Sequence, residues 1–480
     1  MTETANSGRP HPAIPAAVGV IAFVGATLFA ARGGVRLGFD SYYYVEYAKS
    51  FRQALPGSFG SSWPFGWPLL GSLVSHLGLS TYHALFALEV ACIAVLAAIA
   101  AKGLDWERAG RVASFLFLGA AFSTAGLVSS AAAVFSEVPF SLALLLLAAA
   151  LASNSRWSAV AAAGCMILAF GLRYAGALTP LIALAWVWHR RRSEPGAKVT
   201  PLVAALVASA VLMGGLLLWN REVTGYFTGI PRAHPAVATW PVVWSDFGWS
   251  LPNLLGGFGL CRFLEFESAG RLVGGLVLTA AVILGGLRGC SRGRTALVQA
   301  CGAVVATYAV GLIGLRCVGQ FDDLYNARMF VPLLVPLALV TADAVSPRIL
   351  AAVGVGLLAA NFILAGRGLS REIGGDISPA LAVVADTCAP HCVAVNDAGL
   401  TLAARVSSPV IRAVGLDWTA PRPQVRYLVL VGRPRDRDGT PGDVAPEWRE
   451  LAVRLLAGGR YRERLRLPNL IVLEQTPVPN

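Results

Sequence analysis

Apolar residues fill long blocks of this chain, separated by short polar joints, from near its start to about residue 366. Such blocks match neither the alternation of a half-buried strand nor the one-sided stripe of a surface helix. A helix needs about 20 mostly apolar residues to cross the hydrocarbon core of a bilayer. Runs of that character lie roughly at 13–31, 82–101, 111–130, 137–153, 157–172, 174–189, 200–219, 270–287, 295–315, 329–345 and 349–366. They predict an α-helical polytopic membrane protein of about eleven transmembrane helices. The runs between 157 and 189 are short and predict two spans joined by a tight turn at Arg173.

The pattern changes near Ser370, where apolar runs shorten and charge rises. Val393–Val395, Tyr427–Val431 and Leu470–Leu473 read as short buried strands, and Glu447–Leu456 as an amphipathic helix. The chain therefore divides into a membrane domain at 1–369, with outer loops at 32–81 and 220–269, and a small C-terminal α/β domain at 370–480.

Composition agrees: 56% of residues are hydrophobic and only 14% charged. The formal charge of +12 would suggest nucleic acid in a soluble protein. Here the arginines gather in the joints between spans, so the charge points to anionic lipid and membrane orientation, with no nucleic-acid partner. Placing the N-terminus inside puts Arg190-Arg191-Arg192 and Arg288–Arg294 on the cytoplasmic side, as the positive-inside bias requires. An odd number of spans then places the C-terminal domain outside, together with both long loops. Residues 1–11 are short and polar, with no small-residue cleavage site after the apolar run, which predicts a retained first span. The expected location is the cell membrane, multi-pass.

The candidate chemistry lies on the outer side. Gly38–Ala48 contains Asp40, Tyr42, Tyr43, Tyr44 and Glu46, an acid among aromatic rings just beyond a span. Asp40 suits a helix N-cap, and it equally suits a general base that takes the proton of a hydroxyl nucleophile. Glu46 is either a second acid or part of a solvated helix face. Glu137, at the start of a span, is either an interfacial acid favoured by the helix dipole or a second acid facing the same cavity. Glu89 lies deeper in its span, where pairing with an arginine would relieve it.

Arg173 with Tyr174, Arg328, and Arg232 with His234 in the loop are cations on the outer face. Snorkelling at helix ends explains any one of them. Several at one depth suit a phosphate, which a guanidinium binds through two parallel hydrogen bonds. Cys388 and Cys392 are placed for a disulfide in an exported domain; a metal site is less favoured there, since no further ligand cluster completes it. The sequence has neither a phosphate-binding Gly-x-x-x-x-Gly-Lys-Ser/Thr loop nor a Rossmann glycine pattern. An activated donor on the outer face would have to arrive on a lipid. A transporter or lipid flippase is the alternative; it calls for ionisable residues and broken helices at midplane, whereas the charges here sit mainly at the outer edge.

Five segments taken in order carry a resemblance. They are Asp40-Ser41-Tyr42-Tyr43, then Trp63-Pro64-Phe65-Gly66-Trp67-Pro68-Leu69-Leu70, then Ser136-Glu137-Val138-Pro139-Phe140. Trp219–Gly225 follows, with Gly229 and Arg232, and last Arg328 through Pro336. The chain resembles the GT-C superfamily of membrane glycosyltransferases, in the branch holding protein mannosyltransferases and the aminoarabinose transferase of lipid A. It departs from the motifs at Phe65 and Met329. The resemblance implies inverting transfer from a polyprenyl-phosphate sugar to a glycan, lipid or protein acceptor. Asp40 would be the base, Glu137 a supporting acid, and Arg173, Arg328 and Arg232 ligands of the donor phosphate. Tyr43, Tyr44, Glu46, Trp63, Tyr174, Asn220 and His234 would line the substrate pocket. Some members use a divalent metal, Mg or Mn, near the acids.

Overall fold

The computed structural model describes residues 17, 21, 39–53, 64–105, 109–195, 199–228, 239–254, 269–317, 327–368, 378–384, 393–396, 410–412, 425–432 and 443–476. Two of the described helices precede the bundle's long ones, α1 (Phe39–Gln53) and the short α2 (Gly66–Ser75). There follow α3 (Thr81–Gly103), α4 (Arg111–Phe122), α5 (Ala125–Ala132), α6 (Glu137–Ala152) and α7 (Ser158–Leu172). A 3-10 turn, Tyr174–Leu178, leads into α8 (Thr179–Ser193), then α9 (Thr200–Thr224), α10 (Trp240–Leu254), α11 (Ala269–Arg292) and α12 (Ala296–Cys317). A second 3-10 turn, Ala327–Phe330, opens α13 (Val331–Ala344), and α14 (Pro347–Gly368) completes the bundle.

Helices cover every predicted apolar run except 13–31, which lies almost wholly outside the described residues. Four of them, α3, α9, α11 and α12, are long and apolar enough to cross a membrane unaided. Their ends follow from local chemistry. Ser80 caps α3 by accepting a hydrogen bond from the His83 amide at 3.3 Å. Gly225 ends α9 in the left-handed conformation, at φ +80°, where a side chain is strained. The run at 111–130 is two helices rather than one. The Ser123 and Thr124 hydroxyls donate back to the Ala120 and Ala121 carbonyls at the break, competing with helix continuation. Where α11 crosses α12 the backbones nearly touch: a Cβ on Gly302 would lie 2.2 Å from the Cys290 amide nitrogen. Small residues permit such crossings in lipid, where apolar burial alone does not drive helices together.

The C-terminal segment adds α15 (Ser378–Val384), β1 (Val393–Val395), β2 (Val410–Arg412), β3 (Tyr427–Val431), α16 (Pro446–Ala457), β4 (Tyr461–Leu467) and β5 (Leu470–Gln475). The strands form one mixed sheet in the order β2-β1-β3-β5-β4, with β1 parallel to β2 and β3, and β5 antiparallel to β3 and β4. One face carries Leu428, Leu430, Ile471 and Leu473 against Leu451 and Ala452 of α16. The other carries Val393, Tyr427, Val429 and Val472, continuous with Ala380 and Val384 of α15.

Candidate active site

Three turns and the start of α1 converge to build the site. Asp40 stands in the first turn of α1, where the partial positive charge of the helix start favours an acid. Glu137 begins α6, Arg173 ends α7 in extended conformation, and Arg328 lies in the 3-10 turn before α13. The first turn of α2 presses against the end of α7: a Cβ on Gly66 would lie 2.6 Å from the Gly171 carbonyl oxygen, so only glycine fits there.

The four charges form alternating ion pairs. Arg328 Nη2 lies 2.5 Å from Asp40 Oδ2, and its Nε lies 3.6 Å from Glu137 Oε1. Arg173 Nη1 lies 2.7 Å from the same Glu137 oxygen. Glu137 is 1% exposed, and its contact with Arg173 is close in distance but poorly aligned as a hydrogen bond. Arg173 also donates from Nη1 to Ser136 Oγ at 3.2 Å and from Nη2 to the Met329 sulfur at 3.3 Å. Tyr44 and Ser136 share a hydrogen bond of 2.9 Å between their hydroxyls. Burial pushes the Tyr44 phenol well above its ordinary value, so it stays a neutral hydroxyl. Burial alone would lower the Arg328 guanidinium; Glu137 and Asp40 more than offset it and keep the cation charged. The Arg328 guanidinium also sits 4.9 Å over the Phe135 ring.

Beside this cluster lies an apolar cavity of about 300 Å³. Phe65, Phe170, Tyr174, Leu216, Trp219 and Asn220 are among its lining residues. Asn220 Nδ2 donates to the Tyr174 hydroxyl at 3.0 Å and to the Phe227 carbonyl at 3.2 Å. Arg173 and Tyr174, adjacent in sequence, thus join a cationic side to an oily one.

The structure brings Asp40, Tyr44, Glu137, Arg173 and Arg328 together, and separately pairs Tyr174 with Asn220. Tyr43 packs edge-on against Tyr42 at 5.1 Å and beside Tyr47 at 6.2 Å. Glu46 accepts from Lys49 Nζ at 2.8 Å in a buried ion pair, so the solvated-face alternative for it does not hold. Trp63, Arg232, His234, Cys388 and Cys392 lie outside the described residues. Glu89 is fully buried, and neither carboxylate oxygen has a hydrogen-bond partner among the described residues. Among the described residues no arginine pairs with it, and the charged group whose field reaches it is Glu137. The sequence reading did not single out Phe135, Ser136 and Tyr308 as site residues. Phe135 and Ser136 directly precede Glu137, and Tyr308 is a lone phenol in an apolar run, buried where the fields of Arg173 and Glu137 reach it. A divalent cation does not fit this arrangement. Both acids already face guanidinium groups, and among the described residues no three His, Cys, Asp or Glu side chains converge.

Neither a family model nor a curated protein sequence matches this chain. Solved structures do. ArnT from Cupriavidus metallidurans in the apo state superposes with a TM-score of 0.56 at 14% identity, covering 95% of this chain and 97% of that one. The fold is the one this ArnT structure has. The same ArnT bound to undecaprenyl phosphate gives a TM-score of 0.45 at 13% identity, with the same coverage. The archaeal oligosaccharyltransferase AglB from Archaeoglobus fulgidus, in complex with an inhibitory peptide and a dolichol-phosphate, gives 0.45 at 12% identity, covering 86% of this chain and 69% of that one. The likeness to apo ArnT takes in both the helical bundle and the C-terminal sheet, since it covers nearly the whole of each chain.

Proposed function

We propose that this protein is an integral membrane glycosyltransferase that moves a sugar from a polyprenyl-phosphate donor to an acceptor hydroxyl on the outer face of the cell membrane. The observation that carries the reading is the pair of part-buried arginines, Arg173 and Arg328, neutralised by two acids and placed beside an apolar cavity. A lipid phosphate needs both parts: guanidinium groups for its charge and an oily recess for its first isoprene units. On the topology expected from the sequence, about eleven spans with the N-terminus inside and the domain at 370–480 outside, the site would lie at the outer interface.

The ion pairs suggest an order of events. An arriving phosphate draws Arg328 away from Asp40 and leaves that carboxylate free to accept a proton. The acceptor hydroxyl gives its proton to Asp40 while its oxygen bonds to the anomeric carbon of the sugar. Attack comes from the face opposite the carbon–oxygen bond to the phosphate, so the configuration inverts and no covalent enzyme intermediate forms. That bond breaks with its electron pair going to the polyprenyl phosphate, whose negative charge Arg173 and Arg328 hold. Glu137 keeps the two arginines in place between turnovers.

The test is sugar transfer in purified membranes, with a panel of radiolabelled polyprenyl-phosphate sugars, comparing the natural protein with Asp40→Asn. Asp40 lies within the first turn of α1 rather than capping it; asparagine retains its size there, so insertion is unchanged while transfer falls by about 10²-fold or more. Equal transfer by both proteins removes Asp40 from the chemistry. Carrier binding without transfer of any sugar by the natural protein points instead to a lipid transporter.

A further inference from the structure

The turn that delivers Glu137 is strained, and a tryptophan from another helix holds it. Helix α5 ends in a Schellman arrangement. The Phe135 amide donates to the Ser130 carbonyl at 3.0 Å and the Val134 amide to the Ala131 carbonyl at 3.1 Å. The pivot of such a turn takes a left-handed conformation and is usually glycine. Here it is Val134, at φ +51°, the single non-glycine residue with positive φ among the described residues. A β-branched side chain in that conformation is a genuine outlier, and such strain persists only where the surroundings over-determine it.

Those surroundings are visible. Val134 is fully buried, and its carbonyl accepts a hydrogen bond from Trp67 Nε1 at 3.0 Å; Trp67 is itself fully buried. The residue before Trp67 is Gly66, seated against Gly171 two positions ahead of Arg173. The start of α2 therefore touches the two backbone segments that carry Arg173 and Glu137. Through Gly66 it sets the end of α7 and Arg173; through Trp67 it sets the turn that presents Phe135, Ser136 and Glu137. Those three contact Arg328, Tyr44 and Arg173 respectively.

We propose that Trp67 and Val134 form a latch that fixes the Glu137 turn relative to Arg173, making them positioning residues for the site's anion-binding arginines. The anion's identity as a carrier phosphate rests on the function proposed above; the latch itself does not. A free glycine turn would make the same hydrogen bonds but sample many more conformations, and placement errors of about 1 Å in such sites lower activity by about 10²-fold.

The experiment uses the full-length protein in detergent with Trp67→Phe, Val134→Gly and Val134→Asn. Asparagine tolerates the left-handed conformation, so it guards against reading lost packing as a lost latch. Two quantities are measured: hydrogen exchange of the amides at 133–137, and binding of undecaprenyl phosphate. The latch predicts faster exchange in Trp67→Phe and Val134→Gly, carrier binding weakened by about tenfold or more in both, and near-natural values for both quantities in Val134→Asn. Unchanged exchange in the first two variants overturns the latch. Faster exchange with unchanged carrier binding shows that the turn does not position the site, and also overturns it. If the natural protein binds no carrier, the functional reading fails and exchange alone decides the latch.

Discussion

Replacing Glu137 with glutamine removes one of four charges that sum to zero in the cluster of Asp40, Glu137, Arg173 and Arg328. Glutamine has nearly the same volume and keeps an oxygen beside Arg173, so the perturbation is electrostatic. Arg173, with 13% of its side chain exposed, loses its carboxylate at 2.7 Å. Unit charges about 4 Å apart interact by about 4 kcal/mol at an effective dielectric of about 20, and removing one partner of a buried pair destabilises by about 3–5 kcal/mol. The lower end is expected, because Asp40 remains to hold Arg328. The same change leaves the arginines with one more uncompensated positive charge facing an incoming phosphate, so Glu137→Gln binds carrier phosphate more tightly, by tenfold for each ~1.4 kcal/mol of added attraction. The assay is thermal unfolding of the purified protein with and without undecaprenyl phosphate, at equal concentrations. The variant should unfold at lower temperature alone and gain more from the carrier than the natural protein does. A variant as stable as the natural protein, or one that gains less from the carrier, refutes the charge-balance argument.

Two further outcomes follow from buried acids elsewhere. Glu89→Leu keeps the volume and removes a carboxyl with no hydrogen-bond partner among the described residues; stability should rise by about 1–3 kcal/mol, and a fall in unfolding temperature would show that Glu89 is satisfied in the membrane. Glu474, 3% exposed beneath guanidinium groups that are themselves half open to water, behaves differently. Burial alone would raise its carboxyl, but hydrogen bonds from Arg462 and Arg426, together with the charge of Arg464, hold it below the usual range. A depressed value in the folded state means that its stabilisation is complete above the unfolded value of about 4.3 and lost as pH falls through the folded one. Hydrogen exchange in β5 should therefore accelerate below about pH 4 in the natural protein, and Glu474→Gln should remove that pH dependence.

The membrane helices were legible because lipid imposes length and apolarity on each segment separately, so a run such as 200–219 announces α9 without its neighbours. The strands around Val393, Tyr427 and Leu470 were legible for a similar reason: continuous burial leaves a short apolar word. What was hidden depended on partners. Tyr-Arg-Glu-Arg-Leu-Arg-Leu, at 461–467, has no continuous apolar run to single it out, yet it is the edge strand β4, with its arginines turned to Glu474 and Glu463. Helix α10 lies inside what read as an outer loop, because its tryptophans and serines find partners on α11: Trp249 Nε1 and Ser245 Oγ both donate to the Arg271 carbonyl. In the site, the charged residues Asp40, Glu137, Arg173 and Arg328 could be picked out singly from the sequence. That Arg328 pairs with Asp40 while Arg173 pairs with Glu137 depends on turns far apart in the chain, and no spacing rule encodes that.

The distribution of these pairs along the chain bears on how the protein is made. Both acids are synthesised before both arginines: Asp40 and Glu137 precede Arg173, and Arg328 comes last. An arginine deep in lipid is costly to insert, by about 2.5–3.5 kcal/mol at the bilayer centre. Each arginine here meets a carboxylate made before it, so whatever penalty its position carries falls on a nearly neutral pair. The site is then completed only when the turn before α13 arrives. A truncated or stalled chain lacking Arg328 would leave Asp40 without its countercharge, which gives the quality-control machinery of the membrane a ready mark of an unfinished molecule.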